Sequence, residues 1–275
     1  MRFSAAGFAV LVLVCLAPPA FAACAVKPPP GLVTPGALTI GSNMSTPPQM
    51  FIENGQPAGF EIDLSRALAA AMCLKPVFVN IAFGGLFPGL VAHKFDYVTS
   101  GLGITPQREQ VFDFVPYLVG GIQLVTRKDS ELHFKDENDL CGHSVATISG
   151  TTQARAVEAA NDNVCKPGHK ITLKYFPSFN DAIIQLRKQS ADVAFVDWGF
   201  AAYVTRLLPE LNVASPIISG RKEVPRNKLG MALRKNDAAM RGAVAAALHS
   251  IEKSGEYGRI LQKWHLERGD ISKPI

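Results

Sequence analysis

An α/β fold made of two similar units in series is what this 275-residue chain predicts. Three observations carry that prediction. Strand-like and helix-like segments alternate through two separate stretches, which implies mostly parallel sheets with helices on their faces. The composition, 48% hydrophobic and 19% charged with 23 Gly and 19 Pro, supplies a core and excludes low complexity, collagen-like repeats and wholesale disorder. The length suits one large domain or two medium ones.

The N-terminus stands apart from both units. Eighteen of the first 23 residues are apolar, and Arg2 is the only charged residue before Lys27. The apolar stretch Ala5 to Ala17 leads to Pro18-Pro19 and Ala20-Phe21-Ala22. A basic start, a short apolar region and a small-x-small cleavage site read as a secretory signal over 1–22. Thirteen apolar residues fall short of the ~20 that cross a bilayer as a helix, which argues against an uncleaved anchor. Cys24 after Ala22-Ala23 leaves a lipid anchor open, although Phe21 stands where lipoprotein signals usually place leucine.

Export decides how the cysteines are read. Cys15 leaves with the signal, and Cys24, Cys73, Cys141 and Cys165 remain, an even number in an oxidising compartment. Four cysteines allow three pairings, and two structural disulfides are expected. Their spacings lack the close pairs of a zinc site, and the six histidines form no HExxH cluster, so neither metal nor cofactor is expected. The net charge of +5 is scattered without a run of four basic residues, which excludes nucleic acid as an expected partner.

Taken in order, Leu38 to Gly41 reads as a first strand, followed by a loop with Pro47 and Pro48. Leu64, Leu68, Ala71 and Met72 recur at helical spacing, Val77 to Ile81 is β-branched, Leu86 to Lys94 is a short helix and Phe95 to Thr99 a third strand. Gly120-Gly121 and the strand Ile122 to Arg127 lead into the second unit. There the strands are Ser144 to Ile148, Ile171 to Phe176 and Val193 to Val196, and the helices Thr152 to Ala160 and Asn180 to Gln189. A strand, Leu229 to Leu233, and a helix with Met240, Val244, Ala247, Leu248 and Ile251 on one face complete the chain. Two such lobes leave a cleft at the C-terminal ends of their strands, where open α/β sheets bind ligands.

Catalytic signatures are mostly absent. There is no GxSxG, no Walker loop and no unpaired cysteine nucleophile, and Gly101-Leu102-Gly103 lacks the third glycine of a dinucleotide fingerprint. Three features point to binding instead. In Ser100 to Arg108, Thr105 followed by Pro106 reads as an N-cap with proline at the first helical position. Arg108 then falls in the first turn, where a cation opposes the helix dipole unless it meets an anion; a plain surface arginine is the alternative. Ser149-Gly150-Thr151-Thr152-Gln153, at the matching strand-to-helix turn of the second unit, offers hydroxyls and free N–H groups to a carboxylate, though ordinary capping explains it equally well. Asp197 ends an apolar strand at the cleft, with a capping aspartate as the alternative.

Together these segments resemble the family 3 bacterial solute-binding proteins, the amino-acid receptors of ABC importers. The resemblance runs through Leu38 to Gly41, Gly59-Phe60-Glu61-Ile62-Asp63-Leu64, Lys94-Phe95-Asp96, Ile104 to Arg108 with Asp113 to Tyr117, Ser149 to Thr152, Ala191 to Ala194, and Leu229 to Trp264. It implies a type II periplasmic-binding-protein clamp with two crossing hinge strands. Lobe 1 would span 23–119 and 227–275, and lobe 2 would span 120–226. It also implies a periplasmic location, an ABC permease as partner, a small amino-acid-like ligand and a monomer. In such receptors the arginine matching Arg108 grips the ligand's α-carboxylate, with help from the groups matching Thr151 and Thr152. The aspartate matching Asp197 pairs with the α-ammonium beside the backbone at Gly101, while Ser100 lines the pocket and Phe83 walls it.

The chain departs from that pattern in lobe 1. Asn43 stands for an acid, Thr46-Pro47-Pro48 and Gln49 for a Tyr-Pro-Pro-Phe stretch, and Gly103 for a hydroxyl residue. These changes point to a neutral or polar side chain on the ligand, with Asn43 free to make one hydrogen bond. The rival classes are a same-scaffold enzyme such as a cyclohexadienyl dehydratase, which needs a further cleft acid, and a sensory receptor without transport. For the cysteines, Cys141 and Cys165 precede neighbouring strands of lobe 2 and are expected to pair. Cys24 with Cys73 would then tie the mature N-terminus to the end of the first helix, which excludes lipidation.

Overall fold

The computed structural model describes residues 24–219 and 228–273; the signal segment 1–22 lies outside them. In chain order the first part holds β1 (Ala37–Ser42), β2 (Ser45–Thr46), β3 (Met50–Glu53), β4 (Gln56–Ala58), α1 (Phe60–Ala71), β5 (Lys75–Asn80), α2 (Leu86–Val91), β6 (Tyr97–Val98), α3 (Pro106–Glu109) and β7 (Phe112–Val119). The middle holds β8 (Ile122–Arg127), β9 (Ser144–Thr147), α4 (Thr152–Asn163), β10 (Thr172–Tyr175), α5 (Phe179–Arg187), β11 (Val193–Asp197), α6 (Trp198–Leu207) and β12 (Leu211–Val213). The return brings β13 (Lys228–Arg234), α7 (Ala238–Lys253) and α8 (Glu256–Trp264).

These elements form two five-stranded sheets of matching design, ordered β5-β1-β6-β13-β7 and β10-β9-β11-β8-β12. In each, three neighbouring strands run parallel and two antiparallel joins follow. The parallel strands β1 and β11 are buried along their whole length, as strands covered by helices on both faces must be. The α/β class and the two-lobed plan are therefore as the sequence predicts.

Several boundaries differ, each for a local reason. The first helix carries the periodic positions Leu64, Leu68 and Ala71 and starts ahead of them at Phe60, where Gly59 at φ 121° turns the chain and a Cβ would lie 2.4 Å from the Gln49 carbonyl oxygen. The third strand shrinks to Tyr97–Val98. Phe95 instead lays its ring on Gly41 and Gly89, and the Asp96 carboxylate accepts from Val33 N (2.8 Å) and Thr39 N (2.6 Å). The sequence reading did not anticipate the small β2-β3-β4 meander, β7, α6, β12 or α8.

The first core packs α1, α7 and α8 on the first sheet around Phe60, Leu68, Tyr117, Val244 and Tyr257. The second lobe has two cores, one on each face of its sheet: α4 covers one with Val157 and Phe195, α5 and α6 the other with Phe179 and Phe200. Trp198, at the start of α6, packs into the first lobe's core. Both expected disulfides are present, Cys24–Cys73 and Cys141–Cys165, with Cα atoms 5.5 and 5.4 Å apart. The Cys24 sulfur is thus bonded at the end of α1.

The chain leaves the first sheet through Gly120-Gly121, which separates β7 from β8. A Cβ on Gly121 would stand 2.2 Å from Ile217 Cγ2, and one on Gly120 would stand 2.9 Å from the Leu229 side chain. Only glycine lets the outgoing strand and the returning segment lie this close. A bridge between Ile122 and Ile218 pairs the two crossings; residues 220–227 of the second lie outside the described part.

Candidate functional site

All ten residues singled out in the sequence line one cavity between the lobes. Asn43, Thr46, Phe83, Ser100, Gly101, Gly103 and Arg108 come from the first lobe, and Thr151, Thr152 and Asp197 from the second.

Arg108 is held as its sequence context predicts. Pro106 opens α3, and the Thr105 hydroxyl accepts from Arg108 N at 3.3 Å. The guanidinium is buried. Its Nη1 donates to Gly103 O at 2.7 Å, its Nη2 reaches across the cleft to Gly150 O at 3.2 Å, and Cζ sits 5.2 Å over the Phe87 ring. Burial, with the nearby charge of Arg155, lowers its pKa to about 9, so it remains charged at neutral pH. No carboxylate among the described residues pairs with it.

Asp197 sits at the N-cap position of α6, yet its side chain makes no capping bond, which removes the capping explanation. Instead Oδ1 accepts from Gln153 Nε2 at 2.8 Å, and Oδ2 lies 3.3 Å from where a Gly101 Cβ would stand. Burial pushes the carboxyl pKa up to about 7, the Gln153 bond opposing and the Glu61 charge adding. Arg108 and Asp197 form no ion pair with each other. A buried guanidinium and a buried carboxyl group therefore face one cavity without an ionic partner on the protein, an arrangement suited to a zwitterion whose ammonium draws the carboxyl into its ionised form.

Other expected roles need correction. Asn43 is not free: Nδ2 donates to Ile81 O at 3.2 Å and Oδ1 accepts from Ser45 Oγ at 2.6 Å, so it fastens the loop after β1. The Thr151 hydroxyl accepts from Ala154 N and donates to Ile148 O, which makes it the N-cap of α4. The Gly101 N–H donates to Glu61 Oε1 at 2.9 Å, which leaves its expected role untouched, because an ammonium is itself a donor and would use the Gly101 carbonyl in any case. Ser100 Oγ accepts from Asn43 N, and Phe83 packs against apolar clusters of both lobes.

The residue pattern matches the bacterial extracellular solute-binding proteins, family 3, over residues 38–267. This chain belongs to that family. The ABC transporter arginine-binding protein 1 of Escherichia coli K12 is 29% identical over 229 residues, 82% of this chain and 90% of the relative. An ancestral arginine-binding protein bound to arginine superposes with a TM-score of 0.76 at 29% identity, covering 83% of this chain and 98% of that one. An ancestral amino-acid-binding protein, a precursor of cyclohexadienyl dehydratase, superposes at 0.73 with 31% identity, covering 83% and 95%.

Four more side chains line the solute-binding protein's cavity: Met50, Ile148, Gln153 and Phe179. Gln153 was legible as part of the turn before α4; the three apolar ones carry no local signal that separates a pocket wall from core. The buried place of Glu61 next to the site was also missed. It is fully buried behind Gly101 and accepts from Thr99 Oγ1 (2.7 Å) and Tyr117 OH (2.5 Å) as well. Burial raises its pKa. Its side chain supports the cavity wall without lining it.

Proposed function

We propose that this solute-binding protein is the periplasmic receptor of an ABC importer. It closes its lobes on an amino acid, or amino-acid derivative, whose side chain is neutral or polar. The unpaired Arg108 and Asp197 in one buried cavity carry this reading, because carboxylate and ammonium at α-amino-acid spacing answer both charges at once. Charge-assisted bonds of this kind contribute about 1.5–3 kcal/mol each. Two or three of them with side-chain burial, less the cost of closure, reach the ~8 kcal/mol of a micromolar receptor. We place the lobes at 23–119 with 227–275 and at 120–226, after a signal at 1–22, and expect a monomer.

Side-chain preference follows from what lines the rest of the cavity. Thr46, Met50, Phe83 and Phe179 are uncharged, and Asp197 is the one carboxylate among the lining residues. Relatives named for arginine do not transfer their ligand here, because a guanidinium buried in this lining would lack a counter-ion at a cost of several kcal/mol. The same lining disfavours the enzyme reading: an elimination needs a second acid over the leaving group, and Glu61 lies behind the wall.

A competition series across the twenty amino acids and simple derivatives tests the preference. Neutral ligands are expected to bind at micromolar Kd and to stabilise the protein by ~4 kcal/mol at ~1,000 Kd in thermal unfolding, with no turnover of any hit. Micromolar arginine or lysine with millimolar neutral ligands would overturn it.

Affinity is also expected to depend on pH with a definite sign. The ammonium needs ionised Asp197, whereas the empty site holds its proton up to about pH 7. Affinity should be flat just above that value, while Arg108 and the ligand's ammonium both keep their protons, and fall up to tenfold per pH unit below it. Calorimetry in buffers of different ionisation enthalpy, at pH 6 and pH 8.5, should show proton release on binding only at the lower pH.

A further inference from the structure

Gln153 is outside the set that the sequence assigned, yet it stands between the groups for the two ends of the ligand. It is the second residue of α4, 2% exposed, and it lines the cavity. Its Nε2 donates to Asp197 Oδ1 at 2.8 Å, and its Oε1 accepts the Thr152 hydroxyl at 3.1 Å. These bonds fix the amide's orientation, since a flipped amide would set its oxygen against a carboxylate. Having one oxygen of Asp197 engaged by Gln153 leaves Oδ2 as the one turned toward Gly101.

We infer that Gln153 is a positioning residue that joins the carboxylate and ammonium subsites into one unit, aiming Asp197 at the ligand's ammonium while it accepts the single hydroxyl proton of Thr152 and leaves the Thr152 backbone N–H for the carboxylate. The inference rests on the amino-acid-receptor reading. Its consequence is electrostatic as well as geometric. Gln153 supplies the hydrogen bond that favours ionised Asp197, against burial and against the Glu61 charge from α1. The other charged or titratable groups around this cavity are Arg108 from α3, Arg155 from α4 and Tyr117 from β7, and substitution at 153 leaves all of them in place. Bonds in such a chain polarise one another, so the two ends of the ligand should be recognised cooperatively.

Gln153→Met keeps the length of the side chain and removes the amide. With a neutral amino acid as probe, its affinity should fall at least tenfold at pH 6 and less than threefold at pH 9, because Asp197 now holds its proton to higher pH. Thr152→Val and Asp197→Asn should be non-additive in the native background and additive beside Gln153→Met. Gln153→Glu, measured in the ligand-free protein by NMR titration of the Asp197 carboxyl, should likewise move its midpoint upward. An equal loss at both pH values, or an Asp197 midpoint unchanged in both variants, overturns the positioning role and leaves the receptor reading intact. Failure of the native protein to bind any amino acid overturns both.

Discussion

Arg108→Lys is expected to bind a neutral amino acid at least tenfold more weakly than the native protein, a loss of about 1.4 kcal/mol or more. Lysine keeps the charge but loses the planar fork that grips two carboxylate oxygens. It also cannot reproduce the anchoring of Nη1 on Gly103 O together with Nη2 on Gly150 O. Because the second bond crosses the cleft, the substitution removes one contact that holds the lobes together. Asp197→Asn should weaken binding by a similar factor for a different reason. The amide keeps a partner for Gln153 in one flip state but presents no charge to the ammonium. Its affinity should no longer fall between pH 8 and pH 6, because the group that titrates there is gone. Isothermal calorimetry at both pH values checks each variant, and native-like affinity in either would move the site elsewhere.

Removing the Cys141–Cys165 bridge is expected to destabilise the second lobe strongly. The bond closes a loop with a sequence separation of 24, for which the chain-entropy model gives ~3 kcal/mol. It joins the end of the turn before β9 to the segment before β10, and Cys165 packs into the second lobe's core. A Cys141→Ser, Cys165→Ser double variant should therefore unfold at lower urea with an unchanged slope for the first lobe. Ligand affinity should change little, since neither cysteine lines the cavity. Equal stability of native and variant protein would show that the reduced lobe recovers the lost constraint elsewhere. Cys24–Cys73, across a separation of 49, ties down a terminus instead of a core loop.

Much of this molecule is legible from the chain. The alternation of β-branched runs with helical periodicity placed most of the sheet-forming strands, because strand and helix periods are local properties. Thr105-Pro106 located the turn that presents Arg108, since an N-cap hydroxyl and a proline with preset φ act within four residues. Among the elements that escaped, β2 and β12 span two and three residues, too few for a period to show, whereas β7, α6 and α8 span eight, ten and nine and were missed for another reason than length.

What the tertiary structure alone decided is which polar groups are already spent. Asn43 was legible as a cleft group, but its bond to Ile81, 38 residues away, fastens the wall; for Thr151 the structure chose the local capping role over the cleft role. Asp197 looked equally like a helix cap until its carboxylate was seen turned to Gln153, 44 residues away in sequence. Hydrogen-bond partners at such separations are set by how strand and helix ends pack within each lobe, and a buried donor or acceptor must find its partner there. The sequence by itself determined the α/β architecture and put Arg108 in the first turn of a helix and Asp197 at a strand end; packing decided that both are buried with no ionic partner among the described residues.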